Sequence, residues 1–257
     1  MDFITEIPTS LKLLKKPVYK LYYKGDLRLL DFPKIAIVGS RKCSQYTKNL
    51  VYSLALSLKN HGICVVSGAA IGTDCVAHEG AYPNTIAVFG NGLENIYPAQ
   101  NKKIIEQIYK NSLALSEYEP NFKATPWSFL ERNRIVVALS DAVVVGEADF
   151  KSGSMSSARL ALDMNIPLFV LPQRLGESNG TNELLKNKKA ELITDFDEFA
   201  LLFKSEKTSI QSGDEVLKFI KTNSNFDECY AKFGDILYEY ELDGKIAIDG
   251  IYVRVLQ

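Results

Sequence analysis

Between residues 34 and 193 the chain alternates short, continuous apolar runs with stretches of helical periodicity, and this alternation constrains the fold more than any other feature. KIAIV (34–38), ICVVS (63–67), TIAVF (85–89), LALSE (113–117), DAVVVGEA (141–148) and PLFVLP (167–172) each hold a strand-length run of apolar side chains. A strand apolar at successive positions has no face to give to water, so both of its faces must be covered. The intervening segments supply the cover. Leu50, Leu54 and Leu58 recur at i, i+4 and i+8, with Gly62 as a stop just beyond. Ile104, Ile105 and Ile108 share one side of QNKKIIEQIYKN. TDCVAHEGA, SMSSARLALDM and a segment starting near Thr181 read as further helices, and Ser128 with Glu131 forms an S-x-x-E capping box opening SFLERNRIVVALS. Strands and helices in alternation predict a doubly wound, mostly parallel α/β sheet of six or seven strands.

This sheet domain occupies residues 34–204, after a polar, proline-punctuated lead-in over 1–33. Residues 205–214 are rich in Ser and Lys, which is linker chemistry. In the last segment, 215–257, EVLKFIKT and DECYAKFGDILYEYELDG are helix-like, and KIAIDGIYVRV is two alternating runs joined at Asp249-Gly250. Helices followed by a hairpin of that size predict a small winged-helix-like domain.

Thirty Lys and Arg stand against thirty-one Asp and Glu, for a net charge of −1, which excludes a protein that binds nucleic acid by being basic overall. The balance is uneven along the chain: residues 1–193 carry 23 basic and 18 acidic side chains, the remainder 7 and 13. No basic stretch followed by an apolar one opens the chain, and no run approaches the roughly 18 apolar residues of a spanning helix, so a cytoplasmic protein without membrane contact is expected. Cys43, Cys64, Cys75 and Cys229 form no C-x-x-C pair and read as reduced thiols; His61 and His78 have no second ligand at a metal-site interval. No metal and no cofactor is expected.

The segments following the strands are unusually rich in Gly and Ser: Gly39-Ser40-Arg41-Lys42, Ser67-Gly68-Ala69-Ala70-Ile71-Gly72, Gly90-Asn91-Gly92, Lys151-Ser152-Gly153-Ser154 and Gly180-Thr181-Asn182. At the carboxyl edge of a parallel sheet such loops present main-chain amides and helix N-termini, which suit an anion. The dinucleotide fingerprint fails, because position 95 is Asn where Gly90-x-Gly92 needs a third glycine, and no G-x-x-x-x-G-K-[ST] occurs. Between Lys34 and Lys59 there are five basic residues and no acidic one. Lys48 and Lys59 fit a solvated helix face, while Arg41 and Lys42, directly after a strand and a glycine, are placed as ligand contacts, as is Lys151. Trp127 and Phe129 are candidates for stacking on unpaired bases, with core packing the plain alternative for Phe129.

These residues resemble the DNA-processing protein A family, DprA or Smf. The blocks GSRKCSQYT, SGAAIGTD, FGNGLENIYP, SEYEP, FLERNRIVVALSDAVVVGEA, KSGSMSSARLA and LFVLPQRLGESNGTNELL follow in the family's order over about residues 35–190. The resemblance implies an extended Rossmann-like domain with no enzymatic activity. It would bind single-stranded DNA during natural transformation, protect it, load the recombinase RecA onto it, and act as a homodimer. It further implies that Arg41 clamps a phosphate beside Ser40 and Lys42. Ser67, Gly68, Lys151, Ser152, Gly153 and Ser154 would line the same pocket, with Gly180 and Asn182 in the GTN block, and Phe129 would contact a base. Arg132, Asn133 and Arg134 match the family's RNR block, where positioning of the loops is favoured over contact with the DNA backbone. Some relatives carry a lysine shortly before the phenylalanine; here Pro126-Trp127 stands there, leaving Lys123 or stacking by Trp127 as replacements. The alternative reading is a phosphoribohydrolase-like enzyme acting on a nucleotide monophosphate, with Glu117, Glu147 or Glu183 as its acid. Its G-G-x-G-T-x-x-E loop is matched only by Gly180-Thr181, with Glu183 one place short of the required spacing.

Overall fold

In the strand KIAIV, Ile35 and Ile37 lie in one apolar cluster and Ala36 and Val38 in another, as the two-residue period of a strand dictates. Three of these four side chains are fully enclosed. The computed structural model describes residues 1–204, 215–242 and 244–256. The linker expected over 205–214 lies outside the described residues. The described chain divides into two units, 1–204 and the residues after 204.

The first unit opens with β1 (Phe3–Ile4), α1 (Thr9–Lys12) and β2 (Leu21–Gly25). Then follow β3 (Lys34–Val38), α2 (Gln45–Asn60), β4 (Cys64–Ser67), α3 (Thr73–Ala81), β5 (Thr85–Phe89), α4 (Lys102–Asn111) and β6 (Leu113–Ser116). The remainder is α5 (Pro126–Ala138), β7 (Ala142–Val145), α6 (Gly153–Asp163), β8 (Leu168–Val170), α7 (Asn179–Lys186), β9 (Glu191–Leu192) and α8 (Phe196–Leu201). One nine-stranded sheet runs in the order β1-β2-β6-β5-β4-β3-β7-β8-β9. Every pairing from β6 across to β9 is parallel; β2 joins β6 and β1 joins β2 antiparallel. The expected count of six or seven strands falls short because the lead-in adds two. Its Leu11, Leu14, Val18 and Leu21 are buried in the main core with Ile135–Ala138 of α5.

α2, α3 and α8 cover one face of the sheet, α5 and α6 the other, and α4 packs on β5 and β6. The helix expected to open at a Ser128 capping box starts earlier. Thr125 is the N-cap, its side chain accepting from the Ser128 amide at 3.1 Å while Ser128 Oγ accepts from the Thr125 amide at 2.9 Å, and Pro126 fills the first turn. Glu131 is free for ion pairs, 2.9 Å from Lys16 Nζ and 3.1 Å from Arg134 Nε.

In the second unit α9 (Glu215–Thr222), α10 (Phe226–Phe233) and α11 (Ile236–Leu242) precede an antiparallel hairpin of β10 (Ile246–Asp249) and β11 (Tyr252–Val255). The single helical run expected from 227 breaks at Gly234, whose φ of +58° ends α10. Asp249 pairs with Tyr252, so Gly250 and Ile251 form the turn, one residue later than expected. Val216, Ile220, Cys229, Leu237, Ile246 and Val253 make this unit's own core. Among the described residues no helix is long and apolar enough to cross a membrane, and no group of side chains is arranged to hold a metal ion.

Two buried positions on α3 yield measurable expectations. A Cβ on Gly80 would stand 2.7 Å from the Tyr52 carbonyl oxygen and 2.9 Å from Ala55 Cβ, both on α2. Alanine is the better helix former by about 1 kcal/mol, but a backbone oxygen cannot yield as a side-chain tip can, and overpacking costs about 1–3 kcal/mol. Gly80→Ala therefore lowers the melting temperature, and an unchanged or raised value would mean that the two helices separate freely. His78 is enclosed, its Nδ1 donating to Thr85 Oγ1 at 2.7 Å while that hydroxyl donates to the Val65 carbonyl at 2.8 Å. Burial, with the nearby Arg132 charge, pushes the imidazole down to about 3 from its ordinary 6.5. The unfolded chain then binds the extra proton, so this group's contribution to stability is intact above pH 6.5 and is lost as pH falls towards 3, at about 1.4 kcal/mol per pH unit. Denaturant titrations on either side of pH 6.5 should show that slope in the wild type and a shallower one in His78→Gln.

Candidate nucleic-acid interface

β3 and β7 are neighbours whose connections run to opposite sides of the sheet, the switch point at which parallel sheets open a crevice. A cleft of about 630 Å³ lies there. Gly39, Ser40 and Arg41 line it from the end of β3, and Ala148, Asp149, Ser152, Gly153 and Ser154 from the end of β7. Thr125, Pro126, Phe129, Leu130, Arg132 and Asn133 come from α5 and its cap, Tyr97 from the β5–α4 loop, and Asp74 from α3.

The glycine-rich segments differ in what they leave open. After β3, Gly39 allows close packing on Thr73, whose Oγ1 a Cβ would meet at 2.4 Å. The Ser40 carbonyl accepts from the Thr73 amide and hydroxyl at 3.2 and 3.1 Å. Arg41 and Lys42 beyond it are exposed. The loop after β4 is an anion socket that the chain fills itself: the Gly68 and Ala70 amides donate to Asp74 Oδ2 at 3.2 and 3.3 Å. Burial raises the Asp74 carboxyl, while the Arg132 charge and those amides hold it back. Ser67, expected in the pocket, is fully buried and donates to the Ile37 carbonyl at 2.6 Å. The Gly68 carbonyl accepts from Arg132 at 2.6 Å.

After β5, the Gly90 carbonyl accepts from Ser128 Oγ at 2.6 Å, and a Cβ there would lie 2.8 Å from Phe129 Cδ1. This glycine seats the first turn of α5. The segment before α6 stays open. Ser152 caps the helix, its hydroxyl accepting from the Met155 amide at 3.2 Å, and nothing lies within 4 Å of a Cβ on Gly153. The Gly153 and Ser154 amides, first in an eleven-residue helix, have no intrahelical acceptor. Lys151 is exposed at its edge and outside the cleft lining. Gly180 and Asn182 sit in α7, also outside the lining: the Gly180 amide donates to the Ala148 carbonyl at 2.8 Å, and Asn182 Nδ2 to the Arg174 carbonyl at 3.1 Å. Gly180 thus braces the segment that carries Asp149 and Ser152, and Asn182 the β8–α7 loop. Lys42 and Glu147 line an adjoining pocket of about 310 Å³.

Arg132 is 4% exposed and spends Nη1 on the Gly68 and Val88 carbonyls and Nε on Asn133 Oδ1 at 3.3 Å. Burial lowers its guanidinium to about 10, against the raising effect of Asp74, so it is charged at neutral pH. Arg134 is paired at 2.6 Å with Glu117. The RNR block thus ties α5 to the sheet. Glu117 and Glu183 stand outside the cleft, Glu183 accepting from Asn187 Nδ2 at 2.8 Å.

Phe129 is half-buried, its ring stacked on Tyr97 with centroids 5.5 Å apart and planes at 27°, and the Arg41 guanidinium lies over it at 5.5 Å. Trp127 is 55% exposed under Lys16, 4.6 Å away, and with the exposed Lys123 flanks the lining residues Ala124–Pro126. The sequence reading missed Tyr97, Asp74, Asp149 and Thr125. Thr-Pro before an amphipathic run is a helix-start signal that would have found Thr125; Tyr97 lies in a block noticed for its glycines.

A structure of DNA processing protein A from Helicobacter pylori, described for its single-stranded DNA binding mode, superposes with a TM-score of 0.76 at 48% identity, over 78% of this chain and 94% of that one. The DprA structure from Streptococcus pneumoniae gives 0.75 at 34% identity, over 80% of this chain and 75% of that one. By sequence, DNA processing protein DprA of S. pneumoniae R6 is 40% identical over 179 residues, 68% of this chain and 63% of that protein. Protein Smf of Synechocystis is 33% identical over 230 residues, 84% of this chain and 58% of that protein. The chain thus spans about three-fifths of the length of these two relatives. The family model of DNA recombination-mediator protein A matches residues 3–204, and the chain belongs to that family of DNA processing proteins.

Proposed function

We propose that residues 1–204 bind single-stranded DNA in the cleft at the β3–β7 switch point. The carrying observation is that one crevice presents a guanidinium, a helix N-terminus and a stacked aromatic pair. A phosphate fits between Arg41 and the Gly153–Ser154 amides, where a charge-assisted hydrogen bond and the helix dipole act together. Ser40 and Ser152 offer hydroxyls to the same group, Lys42 and Lys151 add positive charge from its margins, and Phe129 meets a base. Aromatic faces are available only to unstacked bases, so the site selects single strands over duplex. Ser67, Gly68, Arg132, Asn133, Gly180 and Asn182 act from behind as supports. The H. pylori relative's single-stranded DNA binding mode supports this reading.

Membership of a recombination-mediator family supports the wider role: a cytoplasmic homodimer, formed through the sheet domain, that shields entering DNA and loads RecA onto it in natural transformation. The second unit contributes a protein contact or regulation. Its hairpin and helices carry a net negative charge that repels phosphates.

Fluorescence anisotropy with labelled oligo-dT over a salt series tests the site. Each phosphate contact contributes a log–log slope of about −0.7. Arg41→Ala and Lys151→Ala should each weaken binding and make the slope shallower by about that amount. Duplex of the same length should bind more weakly than the single strand. Wild-type affinity in both variants would place the DNA elsewhere. Residues 1–204 alone should retain single-strand affinity to within about tenfold, or about 1.4 kcal/mol; a larger loss would give the second unit a direct part in binding.

A further inference from the structure

Tyr97 is the more open of the two stacked cleft aromatics, 48% exposed, whereas the base contact in the proposed site falls to Phe129. Its neighbour Ile96 turns into the core with Phe89, Leu93 and Ile105, which leaves Tyr97 directed to the cleft lining. The loop that carries it is fixed before any ligand arrives. Asn91 Nδ2 donates across it to the Asn95 carbonyl at 2.6 Å, and the Gly92 and Glu94 amides donate to the Phe122 and Pro120 carbonyls at 2.9 and 3.0 Å. Asn101 Nδ2 ties its far end to the Ala69 and Ala70 carbonyls, both at 3.0 Å. A ring held this way loses little freedom when a base settles on it.

Phe129, by contrast, is half-covered. Tyr97 and the Arg41 guanidinium both lie over it at 5.5 Å, and Gly90 backs its edge. A base approaching Phe129 therefore meets Tyr97 as well. We infer that Tyr97 is a second base platform of the cleft, continuing the Phe129 stack outward so that a base packs on the tyrosine ring while Arg41 holds the adjoining phosphate. This inference rests on the proposed single-strand site. Stacking on a phenol ring is tolerant of base identity, so the platform adds affinity with little sequence preference.

The test uses the full chain and two probes of equal length, oligo-dT and an oligomer of abasic sites, which keeps the phosphates and removes every base. Tyr97→Ala should bind oligo-dT about tenfold more weakly at every salt concentration, with the salt slope unchanged, and should bind the abasic oligomer as the wild type does. Tyr97→Phe, which keeps the ring, should recover the affinity that alanine loses. The inference is overturned if Tyr97→Ala binds oligo-dT like the wild type, or if it loses as much on the abasic oligomer, which would make Tyr97 a structural residue. A wild type that binds both probes equally also overturns it, leaving the phosphate site intact. If Arg41→Ala changes neither affinity nor slope, the parent site fails and the platform with it.

Discussion

A guanidinium buried at the carboxyl ends of β4 and β5 organises the rest of the site. An isolated cation in that position would cost several kcal/mol. Arg132 avoids the cost by donating to the Gly68 and Val88 carbonyls and by facing the buried Asp74, which in turn takes the Gly68 and Ala70 amides. One cation and one carboxylate thereby join two strand ends, the α3 N-terminus and α5. The position of Gly68 follows from this closeness, since a Cβ there would meet the guanidinium at 2.4 Å. With α5 fixed in this way, its first turn holds Phe129 at the cleft and its cap, Thr125, beside it. Removal of either charge would strand the other in the interior, so the pair belongs to the fold before it belongs to any ligand.

The same pair explains which parts of the site were legible in the sequence. The alternation of continuous apolar runs with periodic helices states the sheet directly, because a covered strand leaves no polar face to misread. Gly39, Arg41 and the Ser152–Ser154 segment follow from their place after β3 and β7. The loop after β4 reads the same way in sequence but is closed in the structure. Its amides already hold an anion, the Asp74 carboxylate only six residues after Gly68. Glycine marks a close approach of backbone to something, and sequence does not say whether that partner is a phosphate, a carboxylate of the chain or another main chain. Gly90, Gly92 and Gly180 all meet main-chain atoms of the protein.

The lead-in was illegible for a different reason. β1 has two residues, and Leu11, Leu14, Val18 and Leu21 are spaced 3, 4 and 3 apart as on a helix, yet Pro17 interrupts the run, and the four fall in a four-residue helix, the loop after it and the first position of β2. Its order comes from long-range contacts: β2 pairs with β6, more than ninety positions later in sequence at Tyr22–Ser116, and Lys16 reaches Glu131 on α5. Glu131 is shared with Arg134, which also pairs with Glu117 after β6. The lead-in is therefore part of the support for α5, which is held from the sheet by Arg132 and from the opposite end of the chain by Lys16.

Charge constrains how the proposed site could hold DNA. Its lining contains two arginines and two aspartates, and the buried Arg132 and Asp74 offset each other. What remains exposed is Arg41 opposed by Asp149, with Lys42 and Lys151 at the margins. Such a site exerts only a modest long-range pull on a polyanion. In the proposed site affinity would arise at contact, from Arg41, from the Gly153 and Ser154 amides of α6, and from aromatic surface that duplex DNA cannot reach because its bases are already stacked. A strongly basic cleft would take either form of DNA through its phosphates; in the proposed site, weak general attraction would make the bases decisive, and discrimination between single and double strands would follow from the small number of cations.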